Sequence, residues 1–308
     1  MSIANFIKRS LKFLGLFLAF AILSLVLIGS TFEFLPHTKY YGQDYEKAFN
    51  KKDLGLLAIG NSKLLASLDN TTLQKELGLE PVNLGSIFSN LSVTRLTFES
   101  YLNNCEVMPK MVLMEVSWFT FNPVRTQFNE IGGDLFLNDY KLWPEALNYY
   151  PEIIDPLRKS FMRQVYSKVM PIGDIDYSSE FKDMSRFEKT YDFKLSEFEE
   201  VFPDHIAGVD PELLAEFERI VNLCKENNIQ LVLYTAPEVS EYRSLQTDIE
   251  DIKTIFRNIP DVPYLDYSEG GEFFKKDYEL WMKDSHHLNE NVRYSEILAK
   301  DIKAKLDL

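Results

Sequence analysis

Two stretches far apart in this chain carry residue types that could work together. Gly60-Asn61-Ser62 closes an apolar run, Leu54–Ile59. Asp284-Ser285-His286-His287 stands far downstream and leads into an amphipathic C-terminal segment. A serine hydroxyl alone is a weak nucleophile, and an adjacent base is what makes it reactive. A histidine base needs its Nδ1–H held by an acceptor so that Nε2 faces the nucleophile. An Asp three residues earlier, on a tight turn, can supply that hold. Gly85, in Val82-Asn83-Leu84-Gly85-Ser86, would let a backbone N–H come close. With the N–H of Ser62 it would stabilise an oxyanion. Each residue also has an ordinary structural role: a serine after a strand caps a helix, paired histidines sit on surface turns, and a glycine ends a strand.

These residues matter only if the chain brings them to one edge. Four apolar runs read as buried parallel strands: Leu54–Ile59, Pro81–Leu84, Met111–Val116 and Ile229–Thr235. A shorter one is Val262–Asp266. Their near-continuous apolarity suits strands covered on both faces. Helices alternate with them. Asp210-Pro211 predicts an N-cap with proline at the first helical position. Leu213, Leu214, Phe217, Ile220, Val221 and Cys224 follow at helical spacing, and Asn227-Asn228 ends that helix. Asn289 is placed to cap a last helix whose face carries Tyr294, Ile297, Leu298, Ile302 and Leu306. The alternation predicts an α/β sheet with helices on both faces. In such a sheet ligands bind beyond the carboxyl ends of the strands. Besides Ser62 and Gly85, that edge receives Glu115-Val116-Ser117-Trp118 and Ala236-Pro237-Glu238.

The stretch from Asn122 to about Val209 breaks the alternation and is too long for a simple connection, so it carries helices of its own. It is either a cap over one end of the sheet or additional core packing. The remaining organisation is 1–32 as basic tip and anchor, 33–52 as a polar stalk, and 53–308 as the α/β domain with its helical insertion at about 122–209.

The anchor is read from charge and length. Lys8, Arg9 and Lys12 precede an uncharged run, Phe13 to Phe32. At ~1.5 Å per residue that run spans about 30 Å, the hydrocarbon thickness of a bilayer. The basic flank predicts a cytoplasmic N-terminus and an extracytoplasmic domain. A cleaved signal peptide is the alternative, although Ala19-Phe20-Ala21 lies inside the apolar run. The net charge of −14 argues against a broad nucleic-acid footprint. The 45% of hydrophobic residues permits a sizeable core. Cys105 and Cys224 could pair, or Cys224 could be a buried free thiol on its helix face. No CxxC and no His/Cys cluster has zinc spacing, so no metal is expected.

Taken in order, "AIGNSKLLASLD", "VNLGS" and "YLDYSEGGEFFKKDYELWMKDSHHLNENVRYSEILAKDI" resemble the blocks of the SGNH/GDSL hydrolase superfamily. Within it they resemble the membrane-anchored branch of the D-alanyl-lipoteichoic acid biosynthesis proteins and relatives of the alginate O-acetylation proteins. The resemblance implies a flavodoxin-like three-layer sandwich around a parallel sheet. It implies Ser62 as nucleophile and Asp284 with His287, rather than His286, as the dyad. Gly85, Asn61 and Ser117 are the candidates for oxyanion or substrate contacts. Asn61 stands where the esterases usually carry Asp, and the usual Gly-x-Asn-Asp block is not evident; Ser117 or Asn122 is only positionally nearby. Asn291-Val292 replaces the usual Gly-Ala after Leu-Asn.

The expected function is that of an extracytoplasmic serine acyltransferase or acyl esterase acting on a cell-envelope polysaccharide or polymer. No ATP, nucleotide or metal cofactor is needed. The branch implies a multipass membrane acyltransferase as partner. The alternatives are a non-catalytic accessory or scaffold protein of an envelope polysaccharide machine and, more weakly, a lipase-like hydrolase of small lipids.

Overall fold

Each of the apolar runs forms a strand. The computed structural model describes residues 12–20, 54–85, 89–121, 141–142, 144–145, 208–238, 248–269, 288 and 290–307. The strands are β1 (Leu54–Ile59), β2 (Glu80–Asn83), β3 (Met111–Glu115), β4 (Gln230–Thr235) and β5 (Tyr264–Asp266). They lie side by side in the order β2-β1-β3-β4-β5, and every neighbouring pair is parallel. This is the flavodoxin-like order, whose direction of winding reverses between β1 and β3.

The helices are α1 (residues 12–20), α2 (Ser62–Ser67), α3 (Asn70–Leu77), α4 (Leu91–Asn104), α5 (Pro211–Glu226), α6 (Ile249–Arg257) and α7 (Asn291–Leu306). Side chains alternate across a strand, so each run of apolar residues feeds two cores. Leu57, Ile59, Val112 and Met114 join Phe98 of α4, Phe217 of α5 and Phe256 of α6 on one face. Leu56, Ala58 and Leu113 join Leu64 of α2, Leu73 of α3 and Leu298 of α7 on the other. Two helical layers sandwich the sheet. That is why the strands read as continuous rather than alternating apolarity. The phase slips once: the β1–β2 register shifts between Leu54 and Leu56, and Leu54 falls in the first core.

Local chemistry starts the helices. Asn61, Asp69, Asn90 and Asp210 are N-caps whose side chains accept from backbone N–H groups in the first turn. Asp210 followed by Pro211 begins α5 as the sequence predicts, and Asn227 ends it. Asn228 takes a left-handed φ of 55°, a conformation asparagine tolerates better than most residues. α7 begins one residue later than expected, with Glu290 at its N-cap and no side-chain capping bond. Asn289 lies outside the described residues. Cys105 and Cys224 are both free thiols, and burial pushes Cys224 up to about 12.

One polar tie crosses the first core. The Arg95 side chain of α4 is fully buried. Its guanidinium donates to Glu216 of α5 at 2.5 Å, to Glu99 at 3.1 Å and to Glu145 at 2.6 Å. Glu145 also accepts from Arg219 of α5 at 3.2 Å, and nearby Leu142 is buried. Both belong to the 122–209 insertion, most of which lies outside the described residues. Glu145 therefore ties the insertion to the α4–α5 layer.

α1 differs from the rest. Phe13, Leu14, Leu16, Phe17, Leu18 and Phe20 are all exposed, between 52% and 73%. No helix among the described residues is long and apolar enough to cross a membrane. Residues 21–32 of the expected anchor and the 33–52 stalk lie outside the described residues.

Removing Arg95 would strand the buried Glu216 carboxylate that it now neutralises. Arg95→Leu should cost about 3–5 kcal/mol, read as a lower urea midpoint of the full chain. An unchanged midpoint would mean that the α4–α5 seam does not depend on this tie.

Candidate active site

Ser62 is the first residue of α2, directly beyond the carboxyl end of β1. The turn that delivers it is shaped by Gly60, at φ +149°, a conformation that L side chains rarely adopt. A Cβ on Gly60 would also come 3.2 Å from Glu115 Cβ, so β1 and β3 approach closely here. Asn61 then holds the turn from both ends of its carboxamide. Its Oδ1 accepts from the Lys63 N–H at 2.8 Å. Its Nδ2 donates to Glu115 Oε2 at 2.9 Å. Ser62 itself is half-buried.

The residue after the serine points inward. Lys63 is 0% exposed, with its ammonium in contact with the Glu238 carboxylate, 3.5 Å from Glu115 Oε1 and over the Phe119 ring at 5.8 Å. Glu115 closes β3 and Glu238 follows β4; both are buried. Burial foremost pushes the Glu115 carboxyl up to about 7. Lys63 and the Asn61 hydrogen bond oppose that rise, and Glu238 adds to it. Charged side chains are almost never fully buried unless paired, and here one cation serves two carboxyls.

Beside this network, in the crevice between β1 and β3, lies a recess of about 20 Å³ lined by Gly60, Asn61, Ser89, Thr94, Glu115 and Thr120. Its size suits roughly one water. Ser89 Oγ donates across it to the Gly60 carbonyl at 3.1 Å. The recess falls at the reversal in strand order, where ligands of open α/β sheets bind.

Gly85 is buried behind α2 rather than open beside the serine. Its N–H donates to Asn83 Oδ1 at 2.8 Å. A Cβ there would meet Leu64 Cδ2 at 2.7 Å, Asn83 Oδ1 at 2.9 Å and Leu65 Cγ at 3.0 Å. Gly85 thus lets α2 pack closely on the end of β2, and its N–H is engaged in that arrangement. Ser117 is buried two residues beyond β3. Its N–H donates to Thr120 Oγ1 at 2.7 Å. Its hydroxyl has no hydrogen-bond partner among the described residues. It lines a different recess, with Trp118, Thr235, Glu238, Lys253 and Tyr264. The structure therefore joins Asn61 to Ser62 and sets Gly85 and Ser117 at separate positions along the same edge.

Asp284, His286 and His287 lie outside the described residues. Their neighbour Leu288 is buried in the core that also holds Leu64 of α2 and Tyr294 of α7. The C-terminal helix is tied to the same layer: Ser295 Oγ accepts from the Asp69 N–H, beyond the end of α2, at 2.8 Å. Sequence reasoning placed Glu115 and Glu238 on the carboxyl edge but did not read Lys63, Glu115 and Glu238 as one cluster. The available signal was a glutamate closing the otherwise apolar "MVLMEV".

No protein-family model and no curated protein sequence matches the chain. Among solved structures it is similar to a "putative acylhydrolase" from Bacteroides fragilis, at 12% identity and a TM-score of 0.41, over 83% of this chain and 89% of that one. It is also similar to a carbohydrate acetylesterase family member from Sinorhizobium meliloti, at 10% identity and a TM-score of 0.32, over 83% of this chain and 100% of that one. Likeness this distant transfers no activity to this chain.

Two substitutions test the packing and charge of the site. Gly85→Ala should force α2 outward and cost about 1–3 kcal/mol; a wild-type melting temperature would contradict the close approach. The second concerns pH. The Glu115 value in the fold, about 7, lies above its ordinary 4.5. Its contribution to stability is therefore fully present below about 4.5 and is lost as the pH rises through about 7. Between pH 5 and 8 wild-type stability should fall relative to Glu115→Gln by ~1–3 kcal/mol, measured by urea unfolding at each pH. Parallel pH dependences would contradict the assignment.

Proposed function

We propose that this chain is an extracytoplasmic serine enzyme that moves or removes an acyl group on a cell-envelope glycan or polymer. The observation that carries the reading is the placement of Ser62. It sits half-buried on a rigidly held turn at the carboxyl edge of β1, beside the crevice where the strand order reverses. A nucleophile in this architecture must stand there, where the chain turns and a hydroxyl can clear the sheet.

In the proposed reaction Ser62 Oγ attacks an ester or thioester carbonyl. His287 takes the hydroxyl proton and Asp284 orients the imidazole. The tetrahedral intermediate collapses, the leaving group departs with the proton from His287, and the acyl-enzyme passes its group to a sugar hydroxyl or to water. With the Gly85 N–H engaged by Asn83, the oxyanion draws first on the Ser62 N–H. The donor is proposed to come from a multipass membrane acyltransferase, with residues 1–32 as anchor, 33–52 as stalk and the N-terminus in the cytoplasm. The exposed apolar side chains of α1 support an anchor, because that helix buries none of them against the domain. The engaged Gly85 N–H favours the second reading, an accessory protein that keeps the fold without turnover.

Labelling separates the two. A fluorophosphonate probe should mark the full-length wild type and neither Ser62→Ala nor His287→Ala. Hydrolysis of p-nitrophenyl acetate should fall by at least about 10⁴-fold in Ser62→Ala. A folded wild type that takes no label and shows no Ser62-dependent turnover would establish the accessory reading instead.

A further inference from the structure

We infer that the buried Lys63–Glu115–Glu238 cluster is a positioning clamp for the turn that presents Ser62, gripping the chain through both residues that flank the serine. The inference rests on the reading of Ser62 as the nucleophile. On one side, Glu115 of β3 accepts from the Asn61 carboxamide at 2.9 Å, and that same carboxamide caps α2 through the Lys63 N–H at 2.8 Å. On the other side, the Lys63 side chain crosses beneath the turn to the Glu238 carboxylate beyond β4. Residues 61 and 63 are thus fastened to two neighbouring strand ends, and residue 62 has nowhere to move. Successive helical residues are about 100° apart around the axis, so drawing Lys63 fully inward sets the direction in which Ser62 can face.

Stability alone does not explain such a cluster. Lys63, Glu115 and Glu238 are 0%, 2% and 3% exposed, and the desolvation of three charged groups offsets much of what their attraction contributes. Well-packed apolar residues would hold the three strand ends at no such cost. What apolar contacts do not supply is direction. A hydrogen-bonded carboxamide and an ion pair fix orientation, and small misplacement of a reacting atom is costly to rate. The Asn61–Glu115 pair also gives a physical role to asparagine beside the serine: its Nδ2 donates to a carboxyl, which an aspartate could not do while ionised.

The test compares two shape-matched changes in the full-length chain. Glu115→Gln keeps an oxygen that accepts from Asn61 and leaves Lys63 balanced by Glu238. Glu115→Leu removes the acceptor. A third variant adds the double change Lys63→Met with Glu238→Gln to Glu115→Gln, and so removes the second grip without stranding a buried charge. Glu115→Gln should react with fluorophosphonate within about threefold of wild type, because the hydrogen bond to Asn61 survives. Glu115→Leu and the triple variant should react about 10²-fold more slowly. Amide hydrogen exchange at Lys63 and Leu64 should rise by about tenfold in both, with the β4 amides unchanged. Wild-type labelling and exchange in Glu115→Leu would overturn the clamp and leave Ser62 as nucleophile. Faster exchange at the turn, with no label on any folded form including the wild type, would keep the clamp as architecture and overturn its catalytic meaning.

Discussion

The carboxyl edge of this sheet depends on one buried cation. Lys63 has no route to water, and two carboxyls from neighbouring strand ends converge on its ammonium. Without it Glu115 and Glu238 would share a buried site with no counter-charge, a cost that protonation would have to relieve. The sharp turn at Gly60, the cap of α2 and the recess between β1 and β3 all lie within reach of that pairing. Burial raises the Glu115 carboxyl and Glu238 adds to that rise, while Lys63 holds it back.

Around that point the fold is conventional in its physics. Two apolar layers close the sheet from either side, and short polar caps start the helices where strands end. The side-by-side ends of β1 and β3 bring Glu115, Asn61 and Lys63 to one point. The apolar residues of α1 are the most exposed large apolar side chains among the described residues.

Much of the scaffold was legible in the sequence. Leu54–Ile59 is a strand over the residues expected, and the other four runs differ only at their ends. Asp210-Pro211 begins its helix as its chemistry requires. Apolar runs and caps are local signals, and local signals survive folding. The polar interior was not legible as one cluster, because Lys63, Glu115 and Glu238 are far apart in the chain and a glutamate closing an apolar run does not name its partners. Only the strand order brings them together. Gly85 shows the same limit: its place after a strand was plain, but that Asn83 would claim its N–H depends on how α2 packs.

The central claim is that Ser62 is a nucleophile served by His287. It is tested most directly by the distance between Ser62 Oγ and His287 Nε2 in an experimentally determined structure of the whole chain. The account predicts a separation of roughly 2.6–3.2 Å, somewhat looser without substrate, with Asp284 on the other ring nitrogen. A structure in which His286 faces Ser62 would move the base by one residue. One in which neither histidine approaches Ser62 would contradict the claim.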